Sequence, residues 1–377
     1  SESGIEASGI GITCANINGG QISGRRNIII NGAMNVAQRG TSSTSSDYAT
    51  VDRFRWINGG TDNSPTQAQV DVASGTTPYT LGFRKSYRVT NANQTSGAQG
   101  NSIIRLQTKI EAQDIANSGW NYTSTSSFIT FSFWIKSSIA QEFFGYLYSQ
   151  DGSSQSYIFS TGSLSADTWT KVIHTIPGNS NLTFDNNNDT GLNIQWQAFM
   201  GTTYTDNSAT LNQWGAWNSS VRVPDMTSTW YTTNGATLEV TGVQLEVGPQ
   251  ATPFEHRSIG EETTLCQRYF QQVTGDGTNV GLGFYYNSGY LQILYRFPVE
   301  MRTTPTIDDI TGTHYYVIYR DGAADTFNSV TLDSGSNNQQ ALFYNGSEVS
   351  GTAGQTGIVR TNNAAPSGGQ IQFNAEL

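Results

Sequence analysis

The sequence predicts an all-β chain: a jelly-roll β-sandwich in the middle, a flexible N-terminal arm, one connecting helix and a C-terminal β domain. Three observations carry this prediction. Forty glycines, set among abundant Asn and Ser, make turns frequent and strands short. Aromatic residues form 11% of the chain, enough for sizeable cores, because each buries about 150–250 Å². Period-two alternation of apolar and polar residues recurs from about residue 80 to residue 247. A length of 377 residues fits two or three domains of about 100–200 residues each.

Residues 1–40 divide into an arm and its first strands. The arm, 1–24, is small, Gly-rich and aperiodic, suited either to flexibility or to docking on a neighbouring subunit. Ile28-Ile29-Ile30 followed by Asn31-Gly32 predicts a buried strand entering a tight turn, and Met34 to Gln38 a second short strand. Asp52-Arg53-Phe54-Arg55-Trp56 alternates like another. Residues 41–257 are assigned to the jelly roll. In Ile129 to Lys136 the odd positions are all apolar and the even ones mostly polar, which puts Trp134 on the outer face of a half-buried strand. Tyr157 to Ser160, Trp169 to Ile176 and Leu192 to Ala198 are further strands. From Leu238 to Val247 the apolar set changes parity across Thr241-Gly242, the signature of a β-bulge. Residues 258–272 are assigned to the helix. Ser258 can cap it, Glu261 stands in capping-box spacing, Glu262 adds charge to the first turn and Arg268 suits the last. In residues 273–377, Tyr285 to Leu291 predicts a hairpin, with strands at Gln292 to Phe297, His314 to Tyr319 and Ile371 to Ala375.

Charged residues are 13% of the chain, about half the usual share, and the formal net charge is −10. Nineteen Lys and Arg without clusters argue against nucleic acid, whose phosphates demand clustered cations. No secretory signal is apparent and no apolar run approaches the ~18 residues of a membrane span, so membrane insertion is not expected. The chain opens on Ser1 instead of Met, which is compatible with processing or trimming. Cys14 and Cys266, far apart in sequence, support neither a disulfide framework nor a zinc site.

No nucleophile elbow, phosphate loop, dinucleotide fingerprint or metalloprotease motif occurs. His174, His256 and His314 follow no metal-ligand spacing, and His174 shares a strand face with Val172 and Ile176, as a core-edge residue would. Asp151, Glu300 and Asp308-Asp309 offer carboxylates for glycoside hydrolysis, but any chain with 29 acids offers such pairs. No enzymatic activity and no cofactor are expected. Asp185-Asn186-Asn187-Asn188-Asp189-Thr190-Gly191 places oxygen ligands at Asp185, Asn187 and Asp189, as a calcium loop does. Its Gly falls one place late and no Glu follows at the twelfth position, so a plain turn is the simpler reading of the segment. Trp214, Trp217, Trp230 and Tyr231, in a stretch rich in Gly, Asn and Ser, and Tyr285, Tyr286 and Tyr290 around the hairpin tip, are candidates for sugar contact. Packing in the core or between subunits is their alternative. Sequons at Asn121 and Asn181 reflect the abundance of their residue types.

Two segments together resemble a known group. Arg26-Asn27-Ile28-Ile29-Ile30-Asn31-Gly32-Ala33-Met34-Asn35-Val36-Ala37-Gln38-Arg39-Gly40 resembles the opening of bacteriophage tail-fibre-like and virion appendage proteins. Gly242-Val243-Gln244-Leu245-Glu246-Val247-Gly248, with Ala251-Thr252-Pro253-Phe254-Glu255-His256-Arg257 and Leu265-Cys266-Gln267-Arg268-Tyr269-Phe270, resembles their closing strand and exit helix. Phe131 to Ser137 is similar to their central strand. The resemblance spans about residues 22–272 and implies a middle module like the jelly rolls of carbohydrate-binding modules. It implies a tail fibre or appendage at the virion surface that attaches to host glycans, most simply as a homotrimer among other virion proteins, with bacterial surface polysaccharide as a partner. A capsid decoration or head fibre, or a capsule depolymerase, are the alternatives. No site residue is carried over, because the group shares a scaffold and not an activity.

Overall fold

The computed structural model describes residues 25–275, 277–309, 311–362 and 370–377. The N-terminal arm, Cys14 included, lies outside them. The chain is all-β: strands hold 43% of it and helices 6%. It forms two compact units. The first holds the described residues up to Asn35, with Ser42–Asp47 and Arg55–His256; the second holds Val36–Thr41, Tyr48–Phe54 and the described part of Arg257–Leu377. Residues 36–40, assigned by sequence to the arm and its first strands, thus belong to the second unit.

The strands of the first unit are β1 (Ser42–Ser43), β2 (Phe54–Gly59), β3 (Thr66–Asp71), β4 (Lys85–Thr90), β5 (Ile103–Glu111), β6 (Phe128–Ser137), β7 (Glu142–Ser149), β8 (Gln155–Ser163), β9 (Thr170–Pro177), β10 (Thr190–Met200), β11 (Trp214–Ala216) and β12 (Thr237–Val247). They make two six-stranded antiparallel sheets, in the orders β1-β3-β4-β12-β6-β9 and β11-β8-β7-β10-β5-β2. The chain crosses repeatedly from one sheet to the other, as a jelly roll does. Strand periodicity decides what lies between them. Phe131 and Phe133 of β6 meet Trp196 of β10, the Phe133 and Trp196 rings edge to face at 5.6 Å, and Ile135 and Ile194 of the same strands are fully buried. Gly145 of β7 stands opposite Trp196, and a Cβ there would lie 2.3 Å from the Phe159 ring, so the glycine makes the room this packing needs.

In β12 the pairing with β6 shifts between Thr241 and Gln244, and Gly242 has φ +61°, which is the bulge the parity change predicted. Asn27 is fastened across it: its side-chain N–H donates to Val243 O, and its Oδ1 accepts from Leu245 N. Gly32 accepts from Val243 N so closely that a Cβ would collide with the Val243 carbonyl. The two segments that carry the resemblance are therefore partners in one structure. Ile28, Ile29 and Ile30 are buried as expected, but neither they nor Met34 to Gln38 form strands. Left-handed backbone at Asn31 (φ 59°) and Met34 (φ 60°) breaks the extended run.

Three short helices, α1 (Thr77–Thr80), α2 (Ala112–Ala116) and α3 (Thr229–Thr232), belong to the first unit, and α4 (Ile259–Gln267) to the second. Ser258 caps α4 by accepting from Glu261 N at 3.2 Å, so its start is as predicted. It ends at Gln267, five residues before the predicted end at 272, because Phe270 opens strand β13 (Phe270–Thr274), which pairs with the C-terminal strand. The other strands of this unit are β14 (Asn279–Asn287), β15 (Tyr290–Arg296), β16 (Thr306–Asp309), β17 (Tyr316–Arg320), β18 (Ala323–Phe327), β19 (Thr331–Leu332), β20 (Gln340–Asn345), β21 (Thr356–Thr361) and β22 (Gln370–Asn374). They form a three-stranded sheet, β13-β22-β16, and a seven-stranded sheet, β18-β17-β21-β14-β15-β20-β19. Their shared core includes Tyr285, Ile293, Ile318, Phe343, Val359 and Phe373.

Buried charge marks this unit. Arg53 is fully buried at φ +69°, pairs with Glu376 and lies 3.4 Å above the Tyr269 ring. Arg39 lies 3.6 Å above the Phe270 ring and pairs with both Asp52 and Glu376. Burial pushes the Asp52 carboxyl up to about 6, against the opposing pull of Arg39. Asp52 and Arg53, expected in a strand, sit instead in the turn before β2.

Candidate functional site

Burial sorts the seven aromatic candidates. Trp230 and Tyr231 are core residues, not surface ones: Trp230 is fully buried with its indole N–H donating to Thr237 O, and Tyr231 packs 4.6 Å from the Phe199 ring. Trp214 pairs with Tyr157 on the inward face of β8 and donates to Pro177 O, closing the sandwich edge. Tyr285 points into the second core and donates to Asp325. Those four are corrected from sugar contacts to packing residues, because each occupies the inward parity of its strand or a covered helix. Trp217, Tyr286 and Tyr290 keep exposed ring surface.

Trp217 belongs to the most developed polar face of the first unit. On β7 the even positions Phe144, Tyr146 and Tyr148 point outward, and on β10 so do Asn193, Gln195 and Gln197. Arg105 of β5 stands opposite Gln197. The segment 201–228, which carries almost no secondary structure, lies over this face and packs Tyr204, Val223 and Trp217 on it. The Trp217 ring sits 4.4 Å from Tyr148 and 5.1 Å from Tyr146, with the Arg222 guanidinium 5.5 Å from it and 4.5 Å from Tyr204. A cleft of about 270 Å³ opens beside it, lined by Ser156, Ser208, Thr210, Gln213 and Asn218 with the side chain of Ile158.

The electrostatics beneath are those of a desolvated polar layer. Burial pulls the Arg105 guanidinium down and pushes the Tyr146 hydroxyl up, the latter opposed by Arg105 and Arg222. Tyr146 donates to Gln195 Oε1 at 2.6 Å. Both amide atoms of Gln197, Oδ1 of Asn193 and Nε of Arg105 have no hydrogen-bond partner among the described residues. An unmade bond on a buried polar group costs about 1–3 kcal/mol, so these atoms are an unmet cost of covering the sheet face with segment 201–228.

On the opposite sheet, a groove of about 410 Å³ is lined by Leu81, Phe83, Trp134, Phe254, His256 and Lys171. Its character is apolar. Phe83, Phe254 and His256 pack on one another at 4.9–5.2 Å, and His256 Nε2 lies 2.9 Å from Leu81 O. Trp134 does face outward, as its parity predicted. In the second unit, Tyr290 stacks on Tyr344 at 4.9 Å and meets Tyr286 edge on, a tip of three partly exposed rings with Gln292 across from Tyr344.

Among the described residues no group of three His, Cys, Asp or Glu is placed to hold a metal ion. In the 185–191 loop the Asn187 side-chain oxygen accepts from Asp189 N, an Asx turn, while Asp185 N donates to Asp151. Burial, with Asp185 and Asp189 nearby, raises the Asp151 carboxyl. His174 sits at the core edge, its Nε2 3.0 Å from Ser160 O and its pKa lowered by burial. His314 lies in a turn with φ 62°. Glu300 accepts from Asn338, in the loop before β16, and Asp309 accepts from Val330 N. Asp151 belongs to the first unit and Asp308 to the second. Cys266 is buried and its thiol is raised by burial. Among the described residues no helix is long and apolar enough to cross a membrane.

Sequence reasoning missed Tyr146, Tyr148, Arg105, Gln197 and Arg222. Their signal was present as parity, because Asn193, Gln195 and Gln197 alternate with apolar residues, yet the covering segment that buries them has no period to reveal it.

No family model matches the chain, and no curated protein matches it. Among solved structures it is similar to the enzymatically active domain of bacteriophage CBA120 tailspike protein 4, at 9% identity and TM-score 0.31, over 59% of this chain and 21% of that one. It thus spans about a fifth of the tailspike chain. It is also similar to the N-terminal cellulose-binding domain of Cellulomonas fimi β-1,4-glucanase C (10% identity, TM-score 0.27, 58% of this chain and 99% of that one). The family 11 carbohydrate-binding module of the Clostridium thermocellum cellulase Lic26A-Cel5E gives 11% identity and TM-score 0.26, over 58% of this chain and 98% of that one. No site residue is carried from them to this chain. What the fold itself defines is an all-β protein built on a jelly-roll sandwich.

Proposed function

We propose that this chain is a non-enzymatic virion appendage that binds bacterial surface glycan through Trp217 and the cleft beside it, on the segment that covers the β5-β10-β7-β8 sheet. One observation carries the glycan reading. Trp217 offers a partly exposed ring between Ala216 and Asn218, which line a cleft with the hydroxyls of Ser156, Ser208 and Thr210 and the amide of Gln213. A sugar has an apolar C–H face and a rim of hydroxyls, so it needs a ring and bidentate amides together. The 410 Å³ groove supplies rings without amides. The virion location rests on the resemblance of Arg26–Gly40 and Gly242–Phe270 to tail-fibre-like proteins, and on the interlocking of parts of both through Asn27 and Gly32. Several copies, a homotrimer in the simplest case, would raise avidity for a repeating polysaccharide.

Calorimetric titration of the full chain with host lipopolysaccharide or capsular polysaccharide tests the reading. Trp217→Ala is expected to weaken binding at least about 10-fold while far-UV circular dichroism is unchanged, since hot-spot aromatics carry about 2 kcal/mol or more. Binding that survives Trp217→Ala unchanged rejects this face. Shortened polysaccharide after incubation would reject the non-enzymatic part and restore the depolymerase alternative.

A further inference from the structure

The seven-stranded sheet of the second unit has two apolar faces. One packs on its core through Tyr285, Ile293, Ile318, Phe343 and Val359. On the other face, strand register aligns Ala324, Tyr319, Ile358, Leu282, Leu294 and Leu342 side by side across six adjacent strands. The next row carries Phe284 and Tyr344 among uncharged neighbours. Leu282 is 70% exposed, Tyr319 48%, Ile358 41% and Phe284 38%. An antiparallel sheet that needs only one covered face shows polar residues on the other; apolar runs on both faces read as a sheet covered twice.

We infer that this face is the contact between copies of this chain. The two rows hold no charged residue, in a chain of net charge −10; Arg360 and Arg296 flank the first row on the same face, Arg360 5.5 Å from the Tyr319 ring. A strongly charged partner would find no complementary charge along the two rows, and a sugar would find along the first row only the Tyr319 hydroxyl. A second copy, repelled elsewhere by its own net charge, presents the same two rows and meets no like charge along them. The footprint also suffices. The six strands, five to nine residues long at ~3.4 Å each and ~4.8 Å apart, cover roughly 600 Å². Standard interfaces bury about 600–1,000 Å² per partner, so the face reaches the lower end of that class. A self-contact of this kind closes into a symmetric oligomer.

Light scattering after size exclusion, on the full chain at about 50 µM, tests this independently of glycan binding. The expected mass is a whole multiple of 40.9 kDa. Leu282→Asp is expected to weaken self-association at least about 100-fold and give a monomer with an unchanged circular dichroism spectrum. Tyr319→Asp and Ile358→Asp, on two other strands, repeat the test should Leu282→Asp disturb the fold. A monomeric wild-type chain at that concentration overturns the inference, as do folded variants that keep the wild-type mass.

Discussion

The two units treat the outer faces of their sheets differently. In the first, segment 201–228 lies over Tyr146 and Tyr148, and Phe83 and Phe254 pack beside Trp134 on the opposite sheet. In the second, the outer face of the seven-stranded sheet holds Leu282 and Tyr286 at 70% exposure each. Covering a face with irregular chain leaves polar atoms beneath it hard to satisfy, which is the condition of Gln197 and Arg105. Leaving a face open keeps backbone satisfied within the sheet and defers the apolar burial to association. The first arrangement makes a recess for a ligand, and the second a platform for a copy.

The sharpest way to break this comparison is to empty the covered side. Trp230 is buried without residual exposure and its indole N–H is paired. Trp230→Ala is expected to cost about 3–5 kcal/mol, read as a lowered urea midpoint at unchanged slope. A loss below about 1 kcal/mol would mean that the 229–232 turn is not part of the first core. In the second unit, Arg53→Met leaves Glu376 buried with Arg39 alone and is expected to cost about 3–5 kcal/mol, because breaking a buried pair strands a charge. A variant as stable as the wild type would show that well-packed methionine replaces the pair outright.

Asp52 sharpens the comparison through pH. Its carboxyl is raised to about 6 from an ordinary 3.8, mainly by burial. Between those values the folded chain holds more protons than the unfolded chain, so this group's contribution to stability falls as pH rises through the window and is constant above it. At ~1.36 kcal/mol per pKa unit the loss is at most about 3 kcal/mol. Asp52→Asn should remove that loss. Urea midpoints at pH 4 and pH 7 for both chains check it, and an equal pH response in both would assign the dependence to other carboxyls.

What was legible in the sequence was whatever repeats with a period. β6, β10 and the parity change at Gly242 announced the sandwich, and Ser258 with Glu261 announced the start of α4. What was not legible lacks a period or depends on distant partners. Ile28–Ile30 looked like a strand because three β-branched residues favour one, yet Asn31 and Met34 turn left-handed and Asn27 ties the run to β12. Asp52-Arg53 alternated correctly, but Arg53 is held by Glu376, more than 300 residues away in sequence, and Asp52 by Gln38 and Arg39. Of the candidate site, Trp217 was found and its floor was not, since nothing in residues 201–228 says which sheet they cover.

The finest test of the comparison lies in two adjacent tyrosines. Tyr285 is buried, donates to Asp325 at 2.5 Å and has the Arg320 guanidinium 4.8 Å from its ring. Tyr286 follows on the opposite face at 70% exposure. Sequence alone gave both the same standing at a hairpin tip. Tyr285→Phe removes a hydroxyl whose partner carboxylate keeps the Ser350 amide and Arg320, so the expected cost is about 1 kcal/mol. Tyr286→Phe removes a hydroxyl already in water and should change the unfolding midpoint by less than about 0.5 kcal/mol. Measured at low concentration, where copies are apart, equal costs would contradict the assignment of inner and outer faces on β14. A stability loss at Tyr286 that grows with protein concentration would instead place that ring within the contact between copies.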